Sequence, residues 1–540
     1  MLKKLGFAVL ILLHTGLTVK SQNRPKLVVG IVVDQMRYDY LYRFSQRYSE
    51  GGFKRMMREG FTCHNAHYNY IPTYTAPGHA TIYTGTTPDV HGIIANDWYS
   101  RAEQKMVYCA EDTTYVTLGS ETGAGEMSPS RLLCGTLGDA MKLFSQGQSK
   151  VYGVALKDRG SILPAGHNAD GAFWYEGGRV GKWISSTYYF PDLPNWVNRY
   201  NQSNYPKKLM SQDWNTLYPL TTYSSSGPDN NAFEGKFKGE EKPVFPHEIK
   251  NLAVFNNEYD ILKYTPFGNT LTTDFAKQLL VNENLGMDEI PDLLAISYSS
   301  TDYIGHKFGS NSVEIEDTYL RLDQELASLF SFFDEKVGKG EWVVFLTADH
   351  AGTEPPSFLS SKRIPGGYFS GDSLEAAVKD YVQKTFNATG VIENISNEQI
   401  FFNPDSLDAC QMGEDEIEQI SEFIQSFPGI DKVVLSGELE LFYGNDIYEK
   451  LKKGYHNRLS GDILFTLLPG WAEYSHTGST HGSGYEYDTH VPILMMGWGV
   501  KMGSAYEPVG PEDIAPTLTS ILKITWPQAA TGKPILSLFR

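Results

Sequence analysis

The sequence predicts an α/β protein of the doubly wound kind: a mostly parallel central sheet flanked by helices on both faces, with inserted capping segments. Two observations predict it. Several apolar, β-branched runs are nearly continuous, as strands covered on both faces must be, and each ends abruptly in ionisable residues. Helical patterns lie between or after these runs, and strands alternating with helices build parallel sheets. Ligands of such sheets bind at the carboxyl ends of the strands. The ionisable residues sit at those ends.

Taken in order, residues 1–22 (MLKKLGFAVLILLHTGLTVKSQ) join a basic start, Lys3 and Lys4, to an apolar run from Leu5 to Leu13 that is too short to span a bilayer. This predicts a signal peptide over residues 1–21 and an exported protein, periplasmic or secreted. No other segment has the unbroken apolar length of a membrane span. KLVVGIVVDQMR (Lys26–Arg37) is the first strand and runs into Asp34. KVYGVALKDRG (Lys150–Gly160) runs into Lys157 and Arg159, PDLLAISYSSTDYIGH (Pro291–His306) into Asp302, and EWVVFLTADHAG (Glu341–Gly352) into Asp349 and His350. Helical patterns cover Ser312–Glu335 and Ser373–Gln383. Two stretches fit the core pattern poorly, about 161–255 and about 353–480. They read as insertions into a single catalytic domain spanning 22–540.

The chain has 540 residues, 41% hydrophobic and 20% charged, which is the composition of a folded globular protein with a large core. Its net charge is −18, and removing residues 1–21 takes away three lysines and no acid, leaving −21. Such a chain is not built to hold nucleic acid by its backbone. It also repels anions at long range, so any anion site must be local and strongly positive. The four cysteines, Cys63, Cys109, Cys134 and Cys410, have no zinc-like spacing; they allow one or two disulfides or four free thiols.

Asp302 and His306 are four apart, which on a helical turn puts both on one face. Asp349 and His350 are adjacent at a strand exit, Asp34 ends the first strand, and His481 lies in a glycine-rich loop before another apolar strand. Zinc takes imidazole nitrogen and carboxylate oxygen, and a catalytic site keeps one position open. These six groups suit two ions with three ligands each. A metal pair about 4 Å apart would clamp the attacking and leaving oxygens of a displacement at phosphorus. The same donor types also accept manganese or cobalt.

Asp34 after the first strand, TYTAPGH, HGIIAND, STDYIGH, TADHAG and STHG follow one another in an order that resembles the alkaline phosphatase superfamily. The likeness covers most of the mature chain. It is closest to the nucleotide pyrophosphatase/phosphodiesterase branch, and within that to the exported, monomeric PafA-type alkaline phosphatases. The resemblance implies two zinc ions, one held by Asp302, His306 and His481, the other by Asp34, Asp349 and His350 with the nucleophile oxygen of Thr75.

Six threonines lie between Asn69 and Asp97. Ala76–Pro77–Gly78–His79 reads as a helix start, and a hydroxyl just before it would meet the helix N-terminus, which favours anions. Thr75 fits, and Thr73, two residues earlier, is not excluded by that argument. The resemblance selects Thr75 as the nucleophile that becomes phosphothreonine. Thr81, Thr84, Thr86 and Thr87 read as structural, and His79 and His91 as supporting groups. The TAPGH motif lacks the C/S-x-P-x-R pattern of sulfatases, and Thr rather than Ser argues against a phosphoglycerate mutase.

Lys157 and Arg159, spaced KxR at a strand end, would face one way and stabilise the extra charge of a monoester dianion. Asn96, 21 residues after Thr75, would donate a further hydrogen bond. The resemblance assigns these three to phosphate binding in monoesterases, whereas related diesterases generally lack the Lys/Arg pair. The expectation is a zinc-dependent alkaline phosphatase acting on small-molecule phosphate monoesters with broad specificity. The alternatives are a phosphodiesterase or nucleotide pyrophosphatase on the same metals, and an inactive zinc-binding relative.

Overall fold

The computed structural model describes residues 24–444 and 446–539. The expected signal peptide lies outside the described residues.

Ten strands form one twisted sheet. Its centre is parallel, in the order Trp342–Thr347, Leu27–Val33, Asp292–Tyr298, Val151–Ala155 and Gly171–Glu176. Antiparallel strands continue it on both sides, Ile493–Gly497 next to Trp342–Thr347 and Lys182–Ser186 next to Gly171–Glu176. The fold class is the one expected from the sequence.

Every residue of Leu27–Val33 is buried. Its side chains alternate between two cores: Leu27, Val29, Ile31 and Val33 enter one, Val28 and Val32 the other. Each apolar side chain so buried contributes roughly 1.5–3 kcal/mol relative to exposure. That is why the strand reads as a continuous apolar run rather than an alternating one. On the first face pack helices Pro266–Asn282 and Val313–Phe333. Helices Thr75–Thr84, Leu137–Phe144 and Ile514–Leu522 pack on the second. The pattern expected over 312–335 is this long helix, with Ser312 as its N-cap, accepting from the Ile315 N–H at 3.1 Å.

Residues 371–467 carry a second, smaller sheet of four antiparallel strands, in the order Ile392–Ser396, Gln399–Phe402, Ile463–Leu467 and Ile430–Leu435. Helices Gly371–Phe386 and Glu414–Gln425 cover it and share its own apolar cluster. One expectation needs correcting. The stretch from about 161 to 255, read as an insertion, gives the strands Gly171–Glu176 and Lys182–Ser186 to the central sheet. Its aromatic side chains, Phe173, Trp174, Tyr175 and Trp183, do the packing that Val and Ile do elsewhere, so the pattern did not stand out as a core strand. Among the described residues no helix is long and apolar enough to cross a membrane. The four cysteines are free thiols.

Candidate active site

Strand register brings the charged residues level. Ala155 pairs with Ser297, Ser297 with Val32, and Val32 with Thr347. Two residues beyond that rung lie Lys157, Ser299, Asp34 and Asp349. Helix Ser300–Phe308 begins at the end of its strand, with Asp302 in its first turn and His306 in its last. The i, i+4 spacing puts them on one face, His306 Nε2 3.1 Å from Asp302 Oδ1. His481 enters from a separate loop, its ring stacked on His350 with centroids 3.4 Å apart.

Two triads result, Asp302–His306–His481 and Asp34–Asp349–His350. In each, one donor atom per residue lies within 4.8 Å of the others. The three imidazoles are oriented alike. His306 Nδ1 donates to the Ser479 carbonyl at 2.8 Å, His481 Nδ1 to the Thr73 carbonyl at 2.8 Å, and His350 Nδ1 to the Ala351 carbonyl at 2.9 Å. Each bond holds the Nδ1 proton on a carbonyl and turns Nε2 toward the carboxylates; burial opposes the charge of His306, but Asp302 outweighs it and holds that imidazole above its usual range. Burial holds His350 down to about 3 and, with His350 and His306 beside it, His481 well below the usual imidazole range, so both are neutral ligands. Asp34 Oδ1 and Asp349 Oδ2 are shut from solvent without a hydrogen-bond donor. Imidazoles with Nε2 turned inward beside buried carboxylate oxygens that lack donors are the donor set of a cation. The residues present therefore fit two metal ions.

The acids do not share one electrostatic state. Burial and the neighbouring Asp34 push Asp349 well above the carboxylate range. Burial also opposes ionisation of Asp302, but His306 and Lys157 outweigh it and hold that carboxylate far below its usual range. Lys157 Nζ lies 2.7 Å from Asp34 Oδ2 and 2.6 Å from Asp302 Oδ2. These two acids outweigh the cost of burial and keep its ammonium charged.

Thr75 opens helix Thr75–Thr84 after Tyr74 in extended conformation. Its hydroxyl is 3.3 Å from Lys157 Nζ and 3.5 Å from His350 Nε2, so it faces the triads at a helix N-terminus. Gly78 allows the approach, since a Cβ there would meet the Asp349 carbonyl oxygen at 2.2 Å. Thr73 turns away and donates to the Ser483 carbonyl at 2.9 Å. Thr81 pairs with His91, Thr84 with the Ala80 carbonyl, Thr86 with Thr531 and Thr87 with Asp89. Asn96 accepts from the Ala76 N–H at 2.9 Å through Oδ1 and lines a cavity with His306 and His481. Arg159 opens helix Arg159–Ala165 and shares a cavity wall with Lys157. Thr75, Lys157 and the two triads thus meet at one edge of the sheet.

Sequence reasoning missed two of the groups that orient them, Gln35 and Tyr108, and named a third, His79, as a supporting group. Gln35, in the left-handed region at φ 63°, donates its side-chain amide to Asp302 Oδ1 at 2.9 Å and its backbone N–H to Asp349 Oδ1 at 3.2 Å, tying the triads together. Tyr108 receives Arg159 Nη1 at 3.0 Å and bonds Asp158. His79, pushed down to about 4 by burial, joins the Thr75 carbonyl at 2.8 Å to Ser297 Oγ at 2.9 Å and lies 3.4 Å from Asp349 Oδ2. Its sequence signal was only its place in the APGH turn.

The family model described as type I phosphodiesterase/nucleotide pyrophosphatase matches residues 28–491. A protein of Myroides odoratus named calcium-transporting ATPase is 43% identical over 525 residues, 96% of this chain and 95% of that one. The alkaline phosphatase PafA of Elizabethkingia meningoseptica is 42% identical over 517 residues, 95% of this chain and 94% of that one. The crystal structure of wild-type alkaline phosphatase PafA matches with a TM-score of 0.92 at 41% identity, covering 96% of this chain and 99% of that one.

Proposed function

The chain belongs to the type I phosphodiesterase/nucleotide pyrophosphatase family, and from that premise we propose that it is a zinc-dependent alkaline phosphatase that hydrolyses small-molecule phosphate monoesters through a phosphothreonine at Thr75. The observation that carries the reading is the Lys157 ammonium, 3.3 Å from the Thr75 hydroxyl and flanked by Arg159. A monoester dianion needs cations beyond the metals, and a diester monoanion does not.

Asp302, His306 and His481 would hold one zinc and Asp34, Asp349 and His350 the other. Two such cations, when bound, supply Lewis acidity at the phosphoryl group and acidify a nearby hydroxyl. The chain does the rest. Thr75 Oγ1 forms the new P–O bond in line while the bond to the leaving oxygen breaks, and water then cleaves the phosphothreonine and restores the hydroxyl. Lys157, Arg159 and the amide of Asn96 hold the non-bridging oxygens. Ser479, Thr73 and Ala351 carbonyls keep the imidazoles in one tautomer throughout.

The family's name favours a second reading, a phosphodiesterase on the same metals. Phosphate release is the element the Myroides relative's name shares with either. The test is kcat/KM for an aryl phosphate monoester against its bis-aryl diester, with and without chelator. A large monoester preference abolished by chelation is the expected result; a diester preference rejects the monoesterase. Replacing Lys157 and Arg159 together by Ala should lower monoester turnover by about 10³-fold or more and diester turnover far less. We further propose export, supported by the basic and apolar start, a single catalytic domain carrying the smaller sheet, and a monomer.

A further inference from the structure

A cavity of about 270 Å³ lies between the carboxyl edge of the central sheet and the smaller sheet. His306, His481 and Asn96 form the end that meets the triads. Tyr74, Phe465, Trp471 and Tyr485 supply aromatic wall, and Glu398, Glu473 and Asp488 supply carboxyls. Among the described residues no lysine or arginine lines it. The cavity on the other side of the site carries four cations, Lys157, Arg159, Arg179 and Lys263, together with Asp158, Glu176 and Asp260. The two sides therefore differ in their cations: lysine and arginine stand on the Lys157 side, and the carboxyls opposite have none among their lining residues.

In-line attack fixes which side receives which part of the ester. Thr75 Oγ1 lies beside His350 of one triad. The leaving oxygen departs on the far side of phosphorus, toward His306 and His481, the residues that open into the acidic cavity. Tyr74 links the two regions: its ring stands edge-on to His481 at 5.7 Å, and its hydroxyl faces the Glu398 carboxyl. Glu398 Oε2 and Asp488 Oδ1 are both shut from solvent without a hydrogen-bond partner. Burial, with Glu473 nearby, holds the Glu398 carboxyl up to about 7, so at alkaline pH it is an anion without a protein cation. An anion walled by aromatic rings is the environment that binds an organic ammonium.

We propose that this cavity is the leaving-group subsite and that it selects phosphate monoesters of ammonium-bearing alcohols, of the aminoalkyl or trimethylammonioalkyl class. The proposal rests on the monoesterase reading above. The zinc-loaded full chain is assayed on 2-(trimethylammonio)ethyl phosphate, on its neutral carbon isostere 3,3-dimethylbutyl phosphate, and on an aryl phosphate. The cationic ester should be favoured over the isostere by about tenfold in kcat/KM at pH 9. Glu398→Gln or Glu473→Gln should shrink that ratio several-fold, and because a ratio is read, a general loss of folded enzyme cancels. A wild-type ratio near one, with the aryl ester turned over, overturns the subsite and leaves the monoesterase standing. A ratio that survives both substitutions overturns the role of the carboxyls. Failure on all three esters overturns both readings.

Discussion

Thr75 is separated from its five neighbouring threonines by hydrogen bonding rather than by residue type. The other hydroxyls are engaged by carbonyls, an imidazole, a carboxylate or another threonine, whereas Thr75 Oγ1 faces Lys157 and His350. Thr75→Ala should therefore lower monoester turnover by at least about 10³-fold, and Thr73→Val by less than about tenfold. Acid quenching during turnover, followed by mass spectrometry, should find phosphate on the peptide carrying Thr75; phosphate elsewhere, or equal losses in the two variants, would remove Thr75 from its role. The six proposed ligands were legible because each ends an apolar run, sits one helical turn from another, or lies in a glycine loop. Gln35 was not, because its role depends on a left-handed φ that nothing in DQMR announces. Tyr108 was not, because its partner Arg159 is 51 residues away.

At the scale of elements, the strands with near-continuous apolar runs were readable, and those packed by aromatics, Gly171–Glu176 and Lys182–Ser186, were not. The segment following them holds an ionic clamp that no motif signals. His247 is buried with Nδ1 2.7 Å from Glu240 and Nε2 3.2 Å from Glu314, in the first turn of helix Val313–Phe333. Burial opposes its charge, but the two carboxylates outweigh burial and hold the imidazole up to about 9. A folded-state pKa above the unfolded one stabilises below the unfolded value, near pH 6.5, and that stability is lost as pH rises through about 9. The full contribution is about 3 kcal/mol. Glu234, whose carboxyl is pushed up to about 10 by burial and Glu314, acts with the same sign. Urea unfolding should show stability falling between pH 6.5 and 9.5, and His247→Asn should flatten the fall. Parallel pH profiles for the two proteins would show that the clamp contributes nothing.

Over the whole molecule, a net charge of −18 opposes anionic substrates at range, and the site answers with cations gathered at one edge of the sheet. The sequence could mark residues 353–480 as foreign to the core pattern, but not which surface they meet, because that contact joins positions hundreds of residues apart. Part of the contact falls on the segment that leads into Thr75, and part on the strand region after it. The Ile71 N–H donates to the Lys450 carbonyl at 3.2 Å, and Arg101 reaches Asp462 at 2.7 Å and the Ser460 carbonyl at 2.6 Å. Helix Asp446–Gly454 ends so close that a Cβ on Gly454 would stand 1.6 Å from the Ile71 carbonyl oxygen. That atom is backbone and cannot rotate away, so Gly454→Ala must shift the helix or the segment before Thr75. The expected cost is about 1–3 kcal/mol, typical of overpacking. If the smaller sheet forms one wall of the leaving-group cavity, the same shift should raise KM for esters that fill it more than for those that do not, with metal content unchanged. Thermal unfolding, metal analysis and KM for a large and a small ester decide it. A variant with unaltered stability and unaltered KM would mean that the two sheets are not coupled through Ile71.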